Sequence, residues 1–157
     1  MITRLYVGCG VGEILSAAKN QGFEVLGLEA NPMESEYARK TFGVEVRNEY
    51  VSERTLDQYS GRWGVVSLFS VLEHVRRPNI IKRDIAKIQS KGDNLVVEVP
   101  HYPSISAASQ ISFPEQVNGM MHPPLHLFLF SFAAMQKMLR NYDYEVKAVW
   151  YFGQDFY

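Results

Sequence analysis

The sequence contains a single cysteine, Cys9, and no long apolar run. One cysteine excludes an internal disulfide and a cysteine-based zinc cluster. No apolar run approaches the roughly 20 residues that span a bilayer, so no membrane contact is expected. A strand-like run follows Met1 almost at once and leaves no room for a signal peptide. Together these absences predict a cytoplasmic protein.

Strong charge of either sign is also missing. Lys and Arg number 16 against 17 Asp and Glu, and no run of Lys or Arg exceeds two residues. A surface that binds nucleic acid needs clustered positive charge along the phosphates, so we expect no nucleic-acid partner and favour a small molecule.

What is present is the composition of one globular domain. The chain has 157 residues, of which 46% are apolar and 21% charged. No repeat or linker divides it, so a single domain over residues 1–157 is predicted. The chain breaks off at "YFGQDFY" without a closing element, which indicates either a minimal domain or a fragment of a longer protein.

Apolar runs alternate with stretches of helical spacing along most of the chain. This alternation predicts an α/β fold with a doubly wound, mostly parallel sheet and helices on both faces. Asn31 is expected to cap the second helix, with Pro32 at its first position and Glu34 as the carboxylate of a capping box. The predicted strands are 2–7, 23–28, 44–46, 63–69 and one from residue 94, and the predicted helices begin near residues 14, 32, 52 and 78.

The regularity fails after the fifth strand. Residues 101–130 mix proline, histidine and aromatic residues, and we predict an irregular loop too long to be a simple connector. Ser131 is then expected to cap a helix that runs to Arg140. The alternating pattern of side chains over Tyr144–Tyr151 is typical of a strand and predicts a final strand there.

The turn "VGCGVG" follows the first strand and opens the first helix. Gly8, Gly10 and Gly12 let the backbone pass close to a ligand, and the helix offers its N-terminal N–H groups. The spacing is G-x-G-x-G, so the third glycine comes one residue earlier than in a dinucleotide fingerprint. Glu29 ends the second strand, about 20 residues on, where a carboxylate can accept ribose hydroxyls. A ribose is expected in either case; the alternative is a tight turn beside a solvated glutamate.

At this point the sequence resembles the class I S-adenosylmethionine-dependent methyltransferases over nearly its whole length. The resembling segments are "VGCGVGEIL", "GFEVLGLEANP", "VVSLFSVLEHVRRP" and "HPPLHLFLFS". The resemblance implies S-adenosylmethionine as the cofactor. In this family the first position of the glycine motif is usually acidic, whereas Tyr6 stands there in this chain. The chain also leaves no room for the family's N-terminal helices or its last antiparallel strand.

The resemblance also assigns cofactor contacts. It places Gly8, Cys9 and Gly10 around the cofactor's methionine part, counts Gly12 of the same turn as cofactor-binding, and places Glu29 on the ribose. It places two segments near the adenine, Ala30 after the second strand and Tyr50–Val51 after the third. It places Ser70 and Val71 beside the cofactor at the end of the fourth strand. The residues so implied are Gly8, Cys9, Gly10, Gly12, Glu29, Ala30, Tyr50, Val51, Ser70 and Val71.

His122 and His126 are the candidate catalytic residues. An oxygen or carbon acceptor must lose a proton, and histidine suits that task near neutral pH. Structural loop histidines are the alternative. Pro123 and Pro124 between them exclude a regular zinc-binding helix and no third ligand is evident, so no metal is predicted.

These observations favour a methyltransferase acting on a small-molecule or sugar-like acceptor. Two alternatives stay open. One is a module that binds S-adenosylmethionine without catalysis, indicated by Tyr6, and the other is an NAD-binding oxidoreductase, which the glycine spacing disfavours.

Overall fold

The computed structural model describes residues 3–51, 56, 58–59, 63–113, 115 and 125–151. The chain forms two compact units. The first comprises Met1–Val71 and Asn79–Glu98, and the second comprises Leu72–Pro78 and Val99–Tyr157. The single domain predicted over residues 1–157 stays a prediction.

The first unit is built on a parallel sheet of five strands among the described residues. The strand order is β3-β2-β1-β4-β5, so the chain leaves β1 in one direction along the sheet and returns beside it as β4. In a parallel sheet of this order, the general right-handedness of crossovers directs the connecting helices to opposite faces, and the order confirms the predicted doubly wound fold. The strands are β1 (Thr3–Val7), β2 (Glu24–Glu29), β3 (Val46–Asn48), β4 (Val65–Phe69) and β5 (Asn94–Glu98).

The core lies around the central strands, since Leu5, Leu28, Val66 and Leu68 are fully buried. The predicted strand bounds agree within about two residues, and β3 begins at Val46 rather than Val44. The helix predicted to begin near residue 52 lies largely outside the described residues.

Within the described part of this unit, three helices accompany the sheet: α1 (Glu13–Asn20), α2 (Pro32–Phe42) and α3 (Pro78–Ile88). Asn31 caps α2 as predicted, because its side-chain oxygen accepts from the N–H of Met33 at 3.0 Å. The reciprocal capping-box contact differs from the prediction. The N–H of Asn31 donates to Glu29 at 2.7 Å, while Glu34 accepts from the Asn31 side-chain amide at 3.2 Å.

The second unit contains two helices where its residues are described, α4 (Ile105–Ser112) and α5 (Phe132–Arg140). The irregular loop predicted over 101–130 was therefore wrong for residues 105–112. Ser104 starts α4, because its hydroxyl accepts from the N–H of Ala107 at 3.1 Å. Ser131 caps α5 in the same way, as predicted.

The final strand predicted over Tyr144–Tyr151 is also wrong, because these residues pair with no strand in the described chain. Trp150 and Tyr151 are 76% and 61% exposed, so the apolar alternation does not mark a face packed on a core. Among the helices that the structure describes, none has the length and apolar character needed to cross a bilayer.

Candidate functional site

The glycine turn is folded by its own backbone hydrogen bonds. The N–H groups of Gly8 and Cys9 both donate to the carbonyl of Leu28, at 2.8 and 3.2 Å, and Gly12 N–H donates to Cys9 at 3.1 Å. Gly8, Gly10 and Gly12 have φ angles of 68°, 53° and 85°. These left-handed conformations favour glycine, which explains the G-x-G-x-G spacing.

The three glycines differ in what surrounds them. A Cβ at Gly8 would lie 2.6 Å from a methyl of Val71, and one at Gly12 would lie 2.6 Å from the Cβ of Ala38. Gly8 and Gly12 are therefore required by packing within the protein. At Gly10 the only atom of the described residues within 4 Å of a Cβ would be a carboxylate oxygen of Glu34, at 3.7 Å. Gly10 is thus the position where a ligand can approach the backbone.

We expect Gly12→Ala to lower the free energy of unfolding by about 2 to 4 kcal/mol. Alanine is strained in the left-handed backbone conformation of this position, and its Cβ would overpack against α2. Chemical denaturation measures this change. Gly22→Ala is the matched control, because Gly22 has a φ of 84° and no atom in the described part of the chain lies within 4 Å of the position that a Cβ would take there. Equal losses in the two variants would contradict a packing role for Gly12.

Glu29 connects the glycine turn to the start of α2. One of its carboxylate oxygens accepts from the N–H of Gly10 at 2.8 Å, and the other accepts from the N–H of Asn31 at 2.7 Å. Each carboxylate oxygen can accept more than one hydrogen bond, so the pair can still receive two hydroxyls of a diol. The sequence predicted Glu29 as a ligand residue, but not its bond to Gly10.

The turn lies at the point where the strand order reverses. β1 pairs with both β2 and β4, and Gly8 packs against Val71, which follows β4. Ser70 has a φ of 51° although it is not glycine. Such strained residues cluster at functional sites, and ligands of open α/β sheets bind at this reversal. The structure thus brings the glycine turn, Glu29, Ser70 and Val71 to one edge of the sheet.

The predicted adenine-side residues follow β2 and β3 at the same edge. Asn48, the last residue of β3, donates from its side-chain amide to the carbonyls of Glu29 and Ala30, at 2.9 and 3.0 Å. Tyr50, two residues later, is 67% exposed, and Val51 is half-buried. Asn48 was missed in the sequence, because only the pairing of β2 with β3 shows what its amide reaches.

Two residues of the glycine motif point into the protein. Tyr6 is 4% exposed and stacks on Phe69, with ring centroids 6.5 Å apart. The sulfur of Cys9 lies 2.5 Å from the position that a Cβ at Gly27 would take. Burial, together with the charge of Glu29, raises the pKa of the Cys9 thiol to about 12. The thiol therefore stays protonated at neutral pH, and what Cys9 can offer a ligand is its backbone.

Of the two candidate catalytic histidines, one lies in the described part of the second unit. His122 lies outside the described residues. His126 lies beside His74, with ring centroids 4.9 Å apart. Donor atoms of Glu73, His74 and His126 all lie within 4.8 Å of one another. No pattern in the sequence indicates this group, because Glu73 and His126 are far apart along the chain.

Comparison with known proteins agrees with this geometry. A family model described as a methyltransferase domain matches residues 4–149. None of the curated proteins matches the sequence significantly.

Several solved structures share the fold. One is an S-adenosylmethionine-dependent methyltransferase from Archaeoglobus fulgidus, with a TM-score of 0.71 and 20% identity over 90% of this chain and 60% of that one. A second, from Thermotoga maritima, is described as a possible histamine N-methyltransferase, with a TM-score of 0.71 and 19% identity over 92% of this chain and 64% of that one. A third is magnesium protoporphyrin IX methyltransferase from Synechocystis with bound S-adenosylhomocysteine, with a TM-score of 0.76 and 16% identity over 99% of this chain and 70% of that one. The chain thus spans less than two thirds of the length of the first two.

Proposed function

The chain belongs to the methyltransferase-domain family, and from that premise we propose that it transfers a methyl group from S-adenosylmethionine to a small-molecule or sugar-like acceptor. The observation that carries the proposal is the carboxylate of Glu29, held at the end of β2 by the N–H groups of Gly10 and Asn31. This arrangement offers a fixed acceptor for a ribose diol beside an open stretch of backbone.

The residues at this edge of the sheet fit the cofactor by their chemistry. Gly8, the Cys9 backbone and Gly10 are assigned to the methionine part and Glu29 to the ribose hydroxyls, while Gly12 is counted as cofactor-binding only as part of the same turn. The remaining assignments are Ala30, Tyr50 and Val51 beside the adenine, and Ser70 and Val71 beside the cofactor at the end of β4. When bound, the cofactor supplies the electrophilic methyl group, so the protein binds and orients it.

Tyr6 cannot replace the usual acidic residue, because its ring is buried against Phe69. Glu34 brings a second carboxylate to the turn, with an oxygen 3.7 Å from the position that a Cβ at Gly10 would take. We assign the Glu34 carboxylate to the ammonium group at the amino-acid end of the cofactor, the role of the acidic residue that Tyr6 replaces. The buried Tyr6 also keeps the second candidate open, a module that binds the cofactor without turnover.

The small-molecule class is supported by two structural neighbours, whose descriptions name histamine and magnesium protoporphyrin IX. For an oxygen or carbon acceptor, His126 and His122 are the proposed general bases. Their catalytic role is a prediction from residue chemistry.

We expect Glu29→Ala to weaken S-adenosylmethionine binding by at least about tenfold, because each lost charge-assisted hydrogen bond is worth roughly 1.5 to 3 kcal/mol. Calorimetry with S-adenosylmethionine and with NAD provides the measurement. Glu24→Ala is the matched control, since Glu24 is an exposed residue at the opposite end of β2. It should bind like the parent protein.

Glu29→Ala removes both the hydrogen bond that holds the glycine turn and the proposed acceptor of the ribose hydroxyls. Cofactor analogues separate these two causes of weaker binding. The parent protein should bind 2'-deoxy and 3'-deoxy analogues more weakly, whereas Glu29→Ala should no longer discriminate against them. Equal binding of all analogues by the parent would show that Glu29 does not hold the diol. Tighter binding of NAD than of S-adenosylmethionine would overturn the proposed function.

A further inference from the structure

A second cluster of ligand-type side chains lies in the second unit, which does not contain the glycine turn. Glu73, His74 and His126 each direct a carboxylate oxygen or a ring nitrogen to a common region, and these atoms lie within 4.8 Å of one another. Glu73 is 1% exposed and His74 is 42% exposed. The carboxylate is thus enclosed by protein while an imidazole keeps access to solvent.

Two hydrogen bonds hold the cluster together. The N–H of Leu127 donates to the carbonyl of Glu73 at 2.7 Å, and the Nδ1 of His74 lies 2.8 Å from the carbonyl of Leu125. His126 lies between the two leucines, so its backbone is fixed opposite Glu73 and His74. The cluster is therefore assembled by the fold and does not depend on the chance meeting of mobile side chains.

The bond to Leu125 determines the tautomer of His74. A carbonyl oxygen can only accept, so Nδ1 must carry the proton, and the neutral ring then presents its lone pair at Nε2. That Nε2 lies 3.9 Å from a carboxylate oxygen of Glu73. This separation is too long for a hydrogen bond. Metal-binding histidines typically donate their other ring N–H to a backbone carbonyl in this way.

We propose that Glu73, His74 and His126 bind a divalent transition-metal ion of the zinc class. Two imidazoles and one carboxylate are a donor set that zinc takes in proteins, with a further coordination position left for water or substrate. Magnesium and calcium prefer oxygen ligands, so this set selects against them.

The distances agree with such a site. Zinc–ligand bonds of about 2.0 to 2.2 Å place two ligands of a tetrahedral ion about 3.4 Å apart. The Nε2 of His74 and the carboxylate oxygen of Glu73 are 3.9 Å apart and would have to move roughly 0.5 Å closer together. No two ligand atoms of the cluster would have to approach each other by more than about 1.5 Å. Changes of that size lie within the reach of side-chain rotation.

The test is titration of the chelator-treated full-length protein with Zn²⁺ by calorimetry and with Co²⁺ by visible absorption. We expect about one ion per chain, with a Co²⁺ spectrum typical of nitrogen and oxygen ligands. His74→Gln and His126→Gln should each weaken binding by roughly 100-fold or more, beyond the loss typical of residues that only orient a metal ligand. Mg²⁺ should not displace Zn²⁺.

His101→Gln is the matched control, because it removes one histidine of the same unit that is not part of the cluster, and it should retain the parent affinity. Glu73→Gln is a third variant, but Glu73 is buried, so the half-exposed His74 carries the test if that variant does not fold. No binding by the parent, or equal affinity in the parent and both histidine variants, would overturn the site. Cofactor binding takes no part in this experiment, so failure of the metal site and failure of cofactor binding can be told apart.

Discussion

Gly10→Val is expected to weaken S-adenosylmethionine binding by roughly 100-fold or more, about 2.8 kcal/mol, while the protein stays folded. The expectation rests on the difference between Gly10 and the other two glycines of the turn. A side chain at Gly8 or Gly12 would strike Val71 or Ala38, whereas among the described residues a Cβ at Gly10 meets only Glu34, at 3.7 Å. The branched side chain therefore fills the space through which the cofactor must approach, and disturbs the N–H that donates to Glu29.

The left-handed backbone at Gly10 would by itself destabilise a valine, so the control must carry the same strain. Gly22→Val provides it, because Gly22 has a φ of 84° and open space at its Cβ position. Both variants should lose a similar amount of stability in denaturant unfolding, and only Gly10→Val should lose cofactor binding in calorimetry. A folded Gly10→Val protein with parent affinity would contradict the placement of the cofactor in this turn.

His126→Gln should reduce methyl transfer by roughly 100-fold or more if His126 is a general base. Glutamine keeps hydrogen-bonding capacity and much of the side-chain volume but cannot take a proton, so cofactor affinity and melting temperature should stay near the parent values. Transfer of labelled methyl groups to a panel of hydroxyl and carbon acceptors measures turnover. His74→Gln, which changes the neighbouring ring, is the comparison and should have a smaller effect.

Three outcomes separate the roles of His126. If treatment of the parent with a chelator reproduces the loss, His126 acts as a metal ligand and the general-base assignment is wrong. A lower melting temperature in His126→Gln would instead identify a structural residue that holds the segment at Leu125 and Leu127. Turnover, affinity and stability all near the parent values would eliminate every one of these roles.

Much of the first unit could be predicted from the sequence, because its signals are local. Buried parallel strands appear as short apolar runs, and Asn31 and Pro32 mark the start of α2 within two residues of chain. The glycine turn and Glu29 were predictable for the same reason, since a strand end and the turn after it form one local unit. The resemblance in these segments also predicted the family, which the match over residues 4–149 confirms.

Other features were decided by chain segments that meet only in the folded protein. The alternation over Tyr144–Tyr151 predicted a strand, but a strand needs a partner edge, and these residues pair with none that the structure describes. Tyr6 stands where the family has an acid, and only packing against Phe69 shows that it belongs to the core. Contacts of Asn48 with the carbonyls of Glu29 and Ala30 required the pairing of β2 with β3.

The group of Glu73, His74 and His126 shows the same limit most clearly. His74 and Leu125 are separated by 51 positions, and no local pattern encodes their hydrogen bond. The sequence by itself determined which segments form strands, helices and the cofactor turn, because neighbouring residues set backbone conformation. Only the tertiary structure decided which side chains converge, because convergence depends on hydrogen bonds and packing between distant segments.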